Sequence, residues 1–284
     1  MPQQPTITRQ VCSDGVQRVS PTYVIRWPPA ATIPASEQRA LQFRPISRKV
    51  CSTGLSSCKV HPAAPGKRTP TILCIGDSLT SGSRGSFSYP EELQAMLEQA
   101  GIDMKVSNGG NWGDTTDQIR RRLPSLMQSV MSQGGRLAFV LVLAGTNDLL
   151  QLPPLEATVS VSIPRIAGKI KEILDIASQA AFHPHVGILS LPPLLSRDVG
   201  RLKLNQSLRQ LFGAPGLLHR SQVPGAGARF LVDLDTVDAA LSTDGVHYGQ
   251  EGYNQFAKRV MQVILPMLKA DAAHGGLAVS SISA

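Results

Sequence analysis

The sequence predicts an α/β protein: a three-layer α/β/α sandwich, flavodoxin-like, around a five-stranded, mainly parallel sheet. From about residue 70, short apolar runs alternate with segments whose apolar residues recur at helical spacing. That alternation indicates parallel strands joined by crossover helices. The clearest run, LAFVLVL at 137–143, is continuously apolar, as expected for a strand covered by helices on both faces. The sequence contains no internal repeat and no sign of a second such domain.

Five short segments are predicted as the strands of this sheet, and β-branched or large apolar residues dominate all of them except 103–107. They are 71–75, 103–107, 137–143, 185–191 and 229–234. Since a helical segment follows each run, we expect right-handed crossovers. The carboxyl ends of the strands then share one edge of the sheet, where ligands bind in such folds.

Five amphipathic segments are predicted as the helices. They are 90–100, 114–131, 164–178, 199–212 and 249–269. Pro90 suits the first turn of the first of these helices. The polar run Arg120–Arg122 and the side chains of Asn205 and Arg209 are expected to lie on solvated helix surfaces.

Residues 1–68 form a leader rich in Arg, Ser and Pro. Residues 1–70 contain ten basic and two acidic side chains, whereas residues 71–284 contain 18 of each, so the net charge of +8 belongs to the leader. Its composition fits an organelle transit peptide, a disordered tail or a small extension packed on the main domain, and all three stay open. We expect the main domain at 69–270 and a flexible tail at 271–284.

Charge and the amino terminus also bear on partners and compartment. The neutral balance after residue 70 gives no electrostatic footprint for nucleic acid. No apolar run approaches the roughly 20 residues that cross a bilayer. The start, MPQQPTITRQVCSDG, lacks the basic end and apolar core of a secretory signal. We expect an intracellular protein, organellar if the leader is a transit peptide, and leave its exact compartment and oligomeric state open.

The cysteines and histidines predict neither a disulfide framework nor a metal site. The cysteines of this long chain are few and widely spread, so free thiols are expected. They are Cys12, Cys51, Cys58 and Cys74. Cys74 should be buried in its strand and unreactive. The segment HPH at 183–185 has no partner ligands nearby, and we expect no metal and no cofactor.

Polar, glycine-containing segments follow four of the predicted strands. They are GDSL at 76–79, NGGNWGDTT at 108–116, AGTNDL at 144–149 and STDGVHYG at 242–249. They are far apart in sequence, but the parallel topology brings all of them to one edge of the sheet. This convergence predicts a site at that edge.

These segments contain the residue types that ester hydrolysis requires. Ser78 needs a base to become a nucleophile, and a histidine such as His247 titrates in the right range. Asp244 precedes His247 by three residues, a spacing at which the two side chains can lie side by side and the carboxylate can orient the imidazole. The N–H of Ser78, the N–H of Gly110 and the side-chain amide of Asn147 are candidate donors to the oxyanion.

The four segments resemble the signature blocks of the SGNH, or GDSL, hydrolases, in that family's order across about residues 70–270. The resemblance implies that Ser78 is the nucleophile and that Asp244 and His247 complete its triad. It also implies that a second-block glycine and Asn147 join the Ser78 N–H in the oxyanion hole, with no cofactor or metal.

In the second block the resemblance leaves a choice of glycine. Gly109 and Gly110 are both available, and the spacing from Asn108 favours Gly110 as the donor. Trp112 and Leu79 are candidates for the lining of the substrate pocket.

Members of the family include acetylesterases acting on carbohydrates, lipases and lysophospholipases, and thioesterases. The sequence does not choose among these small-molecule ester substrates, nor between water and another alcohol as acceptor. Short loops without an apolar lid favour a small acyl group such as acetyl.

Three rival interpretations stay in view. An α/β-hydrolase needs the elbow Gly-x-Ser-x-Gly, which Thr80 breaks. A flavodoxin-like binding module explains the topology but assigns no role to Asn147 or to the Asp244–His247 pair. A degenerate, non-catalytic member of the SGNH fold is the third.

Overall fold

The structure is a computed structural model that describes residues 7–11, 17–21, 68–82, 87–153, 155–195, 197–212 and 227–273. The chain divides into two units, Met1–His61 and Pro62–Ala284. In the first unit, strands β1 (Ile7–Val11) and β2 (Gln17–Pro21) form an antiparallel pair. Apart from these strands and Arg68, the predicted leader lies outside the described residues, so its role stays a prediction.

The second unit is built on a five-stranded parallel sheet, as predicted. Its strands are β3 (Thr69–Gly76), β4 (Lys105–Gly110), β5 (Gly135–Leu143), β6 (His185–Leu189) and β7 (Arg229–Val232), in the spatial order β4-β3-β5-β6-β7. The register places Gly76 of β3 beside Gly110 of β4 and Leu143 of β5. Three strands therefore end at the same level, which is the edge where the sequence predicts the site.

Helices cover both faces of this sheet and confirm the three-layer sandwich. They are α1 (Ser78–Ser81), α2 (Tyr89–Gln99), α3 (Thr116–Ser132), α4 (Thr146–Leu150), α5 (Glu156–Ser178), α6 (Asp198–Phe212) and α7 (Gln250–Ala273). Helix α2 packs against α7, while α5 packs between α3 and α6. The short helices α1 and α4 were not predicted, because four or five residues are too few to show a helical period.

Among the boundaries that differ from the predictions, those of α5 and β4 differ for identifiable physical reasons. Helix α5 begins at Glu156 instead of residue 164 and contains Pro164 inside it. A buried apolar face that includes Ile163 and Ile166 packs this helix on both sides of the proline, which removes one N–H donor only. Strand β4 runs to Gly110 instead of ending at residue 107, because pairing with β3 continues through the glycines.

The described residues reveal neither a membrane span nor a metal cluster. None of the described helices has both the length and the apolar character that a bilayer crossing needs. Among the same residues, no three His, Cys, Asp or Glu side chains converge as a metal site requires. Cys74 is a free, buried thiol, as predicted, and burial raises its pKa to about 12.

Candidate active site

The turn after β3 positions Ser78. At Gly76 a Cβ atom would lie 2.2 Å from Oγ1 of Thr80, so the turn requires glycine. Asp77 caps helix α1 by accepting the N–H of Leu79 at 2.9 Å. Ser78 is the first residue of α1 and only 5% exposed. Its hydroxyl is thus held at a fixed place at the carboxyl end of a central strand.

Ser78, His247 and Asp244 form one chain of hydrogen bonds. Nε2 of His247 lies 2.9 Å from Oγ of Ser78, and Nδ1 lies 2.7 Å from Oδ2 of Asp244. Oδ1 of Asp244 accepts the backbone N–H groups of His247 at 2.7 Å and Val246 at 2.9 Å. Partial burial raises the pKa of Asp244, but these hydrogen bonds outweigh it and the net pKa is lowered. A charged carboxylate therefore faces the imidazole at neutral pH.

The loop at 242–249, which carries Asp244 and His247, is held by hydrogen bonds outside regular structure. The carbonyl of His247 accepts the N–H of Thr243 at 2.7 Å. The carbonyl of Gly245 accepts the N–H of Leu195 at 3.0 Å, which ties this loop to the segment after β6. The imidazole therefore has a fixed backbone behind it.

Asn147 reaches the same edge from the end of β5. It is the second residue of α4, whose N-cap Gly145 has a φ of +113° that favours glycine. Nδ2 of Asn147 donates to the carbonyl of Asp114 at 2.9 Å. An amide nitrogen carries two hydrogens, so one donor remains for an oxyanion.

The geometry does not fit the oxyanion role predicted for Gly110. Its single N–H donates to Oδ1 of Asn108 at 2.9 Å and is therefore occupied. Gly110 also lies inside β4, where a Cβ atom would meet the backbone nitrogen of Ser81 at 2.1 Å. Its lack of a side chain serves close packing of β4 against the nucleophile turn.

Gly113 fits the donor role better. Among the residues that the structure describes, no group accepts its N–H, and its φ of +78° favours glycine. Both of its chain neighbours touch the site. Trp112 stacks on His247, and the carbonyl of Asp114 accepts the amide of Asn147. The N–H of Ser78 likewise has no partner among the described residues.

The two predicted pocket residues lie in different environments. The Trp112 indole stacks on the His247 imidazole with ring centroids 4.8 Å apart and is 41% exposed. It is therefore available to a substrate beside the base. Leu79 is 0% exposed in the hydrophobic core and has no surface to offer to a substrate, because its helix turns its side chain inward.

Asp77 is a buried carboxyl one residue before Ser78. Burial raises its pKa to about 7, opposed by the N–H of Leu79. A fully buried carboxylate has lost its hydration, which disfavours the charged form. Asp77 therefore holds the turn through its contact with Leu79, and its carboxyl has a pKa near neutral pH.

Two polar residues predicted as helix surface instead hold the loops after β6 and β7. Asn205 is fully buried, and its side chain bonds both the N–H and the carbonyl of Leu191 at 2.8 Å. Arg209 pairs with Asp233 at 2.9 Å and with Asp235 at 2.7 Å. Both helix-surface predictions are wrong, because α6 directs these side chains to the strand ends.

Comparison of this chain with known proteins identifies a family and several similar proteins. Residues 74–255 match the sequence profile of the GDSL-like lipase/acylhydrolase family. An arylesterase of Vibrio mimicus is 33% identical over 103 residues, which are 35% of this chain and 49% of that protein. The match thus spans about half the length of this curated relative.

Solved structures share the fold at low sequence identity. The lipase Lip_vut3 from a goat rumen metagenome has a TM-score of 0.54 at 18% identity, over 69% of this chain and 97% of that one. A carbohydrate esterase family 3 protein from Talaromyces cellulolyticus has a TM-score of 0.54 at 14% identity, over 71% and 99%. Likeness at these identities establishes the architecture alone, and it agrees with the predicted sandwich.

Proposed function

We propose that this chain, which belongs to the GDSL-like lipase/acylhydrolase family, hydrolyses ester bonds as a serine esterase through Ser78, His247 and Asp244. The observation that carries this proposal is the unbroken hydrogen-bond chain of 2.9 Å and 2.7 Å through the imidazole. An isolated serine at a turn would have no such base.

In the proposed reaction, His247 removes the proton from the Ser78 hydroxyl as its oxygen attacks the ester carbonyl. Asp244 fixes the imidazole tautomer and stabilises the imidazolium. The tetrahedral intermediate collapses to an acyl-enzyme as His247 protonates the leaving alcohol. Water, deprotonated by the same imidazole, then attacks the acyl group and restores Ser78.

The charge that develops on the carbonyl oxygen needs donors that are already in place. We assign this role to the N–H of Ser78, the N–H of Gly113 and the side-chain amide of Asn147. The support is that the two N–H groups have no acceptor among the described residues, and that one Asn147 hydrogen remains unused.

Hydrolysis of p-nitrophenyl acetate by the wild type and by Ser78→Ala tests the proposal. We expect the variant to lose about 10⁴-fold or more in kcat, as triad knockouts do. Ser81→Ala, in the same short helix, is the matched control and should keep its activity. Equal rates in wild type and Ser78→Ala, or no activity in a folded wild type, would favour a non-catalytic binding module instead.

For the acyl group we propose a short chain such as acetyl. The support is the shortness of two loops at the catalytic edge, 111–115 before α3 and 144–145 before α4. Such loops leave little apolar wall for a long chain. Acetyl, butyryl and decanoyl p-nitrophenyl esters should then be hydrolysed in decreasing order of kcat/KM, and faster turnover of the decanoyl ester would favour a lipase-like enzyme.

A further inference from the structure

Arg122 departs from the solvated surface predicted for the run Arg120–Arg122. Its neighbour Arg121 is exposed, but the side chain of Arg122 is only 30% exposed and its guanidinium turns to the sheet edge. Nε bonds Oδ2 of Asp114 at 2.6 Å. The two terminal nitrogens donate to the carbonyls of Gly109 at 3.1 Å and Gly76 at 3.2 Å. All three nitrogens are therefore in use.

Two of the three partners of Arg122, Gly76 and Asp114, lie close to an oxyanion donor. Gly76 is two residues before Ser78, at the end of the strand that aims the nucleophile turn. Asp114 directly follows Gly113. The carbonyl of the same Asp114 accepts the amide of Asn147. One side chain thus contacts the supports of all three proposed donors.

A second set of hydrogen bonds, made by Asn111, links the same groups to one another. The carbonyl of Gly76 also accepts the N–H of Asn111 at 3.0 Å, and Nδ2 of Asn111 donates to Oδ1 of Asp114 at 2.6 Å. Asp114 is 3% exposed, so its carboxylate requires a charged partner. The segment from Asn111 to Asp114, which includes Gly113, is therefore fixed at both ends.

Only arginine has the shape for these contacts. A planar guanidinium presents N–H donors in fixed directions and stays charged at all working pH values, so it can bond a carboxylate and two carbonyls at once. A lysine ammonium carries charge at one point and cannot hold three separated acceptors in one plane.

We propose that Arg122 is a positioning residue that holds the three oxyanion donors in register, through its bonds to Gly76, Gly109 and Asp114. It touches no reacting atom. The inference rests on the proposed serine esterase function. Donors act on the transition state more than on the bound ester, so their misplacement lowers kcat and leaves KM little changed.

The test compares Arg122→Lys with the wild type on p-nitrophenyl acetate. We expect kcat to fall about tenfold to a hundredfold, as small misplacements of catalytic groups do, with KM within about twofold. Affinity for a trifluoromethyl ketone, which forms a tetrahedral adduct with the serine, should fall by the same factor. Added guanidine should restore part of the activity of Arg122→Ala, because it can re-form the lost bonds.

Arg121→Lys, on the same helix, is the matched control and should keep the wild-type kcat. An Arg122→Lys enzyme with the wild-type Tm and unchanged kcat overturns the inference. A rise in KM without loss of kcat also overturns it. If the wild type itself is inactive, the proposed function fails, and that outcome is distinct from an active wild type whose Arg122→Lys variant is unimpaired.

Asp114→Asn carries the test if Arg122→Lys does not fold. The amide oxygen keeps the bond to Nε of Arg122 without the charge, and its NH2 group requires Asn111 to turn its side-chain oxygen toward it. We expect a smaller fall in kcat, again with KM and the Tm little changed. Unchanged kcat in folded Asp114→Asn would overturn the inference.

Discussion

The catalytic edge has two sides that are held in different ways. On the oxyanion side, which comprises 76–78, 109–114 and 145–148, Arg122 bonds two strand-end carbonyls and the carboxylate of Asp114. On the acid–base side, which comprises 190–195 and 233–249, Arg201 and Arg209 share the carboxylate of Asp235. Both sides use buried or half-buried arginines at strand ends.

The difference lies in how far each arginine is from the chemistry. On the oxyanion side, two of the three groups that the arginine bonds, Gly76 and Asp114, are one or two residues from a proposed donor. On the acid–base side, the arginines bond carboxylates that lie well before Asp244 in the chain. The loop at 242–249 is instead connected to the segment after β6 by the bond from the N–H of Leu195 to the carbonyl of Gly245. We therefore expect changes on the first side to alter kcat, and changes to the arginines of the second side to alter stability.

The largest effect is expected on the oxyanion side, from Asn147→Ala. Loss of one oxyanion donor should lower kcat about a hundredfold or more, since such donors act mainly on the transition state. Steady-state kinetics with p-nitrophenyl acetate measures this, with the Tm as the check on folding. Full activity in the folded variant would remove Asn147 from the oxyanion hole.

On the acid–base side, Arg201→Met should act mainly on stability. Arg201 is 4% exposed and pairs with Asp198 and Asp235, so its loss leaves Asp235 with Arg209 alone. We expect the free energy of unfolding to fall by about 2 kcal/mol. Activity at 25 °C should stay within about threefold of the wild type, and a larger loss of kcat at unchanged stability would contradict the comparison.

The pH dependence of this stability difference follows from Asp235. Burial raises its pKa, but the two arginines outweigh burial and lower it below the ordinary 3.8. The folded state therefore favours the carboxylate, so the stabilisation is present above pH 3.8 and is lost as the pH falls through the lowered pKa. Urea unfolding at pH 7 and pH 3 should give a smaller difference between Arg201→Met and the wild type at pH 3.

Asp77→Asn tests how a buried carboxyl on the oxyanion side, in the turn before Ser78, affects stability at different pH values. Burial raises the pKa of Asp77 to about 7, so the folded state favours the protonated form. Protonated Asp77 therefore makes its full contribution to the free energy of unfolding below pH 3.8. This contribution is lost as the pH rises through about 7. Asn keeps the cap to Leu79 but cannot ionise. Relative to the wild type, the variant should gain at least about 1.4 kcal/mol between pH 4 and pH 8, the equivalent of one pKa unit.

Unfolding free energies of Asp77→Asn and the wild type at the two pH values decide this prediction. Groups shared by the two proteins cancel in the difference. A constant difference would mean that Asp77 does not titrate in this window.

The smallest effect is expected from Trp112, which lies where the two sides meet. Its exposed indole adjoins His247, which protonates the leaving alcohol in the proposed reaction, so a flat aromatic alcohol should stack on it. Trp112→Leu should lower the ratio of kcat/KM for phenyl acetate over trifluoroethyl acetate by about threefold to tenfold, for a contact of about 1 kcal/mol. Trp112→Phe should keep the ratio, and equal ratios in all three proteins would remove the stacking role.

The sequence predicted the fold and the convergence of Ser78, Asn147, Asp244 and His247, because these residues follow strands whose apolar runs are unambiguous. The sequence favoured Gly110 as the backbone donor, for which we now propose Gly113, because the end of β4 could not be located from the sequence. Glycines are poor strand formers, so a strand that continues through Asn108–Gly110 looks like a loop.

The residues that hold the loops were missed for another reason. Helical periodicity identifies the apolar face, but a polar residue at the border of that face can point to solvent or to a strand end. The side chains of Arg122, Asn205 and Arg209 all point to strand ends, where their partners are distant in sequence. Leu79 was misjudged because proximity to the nucleophile in sequence says nothing about the direction of its side chain.

Reaction with a fluorophosphonate, followed by intact-protein and peptide mass spectrometry, tests directly whether Ser78 is an activated nucleophile. The reagent phosphonylates a serine that a base has activated, with loss of fluoride. We expect one adduct per chain, on the peptide that contains Ser78, and none in Ser78→Ala or His247→Ala. An adduct on another serine, or no adduct on the folded wild type, would contradict it.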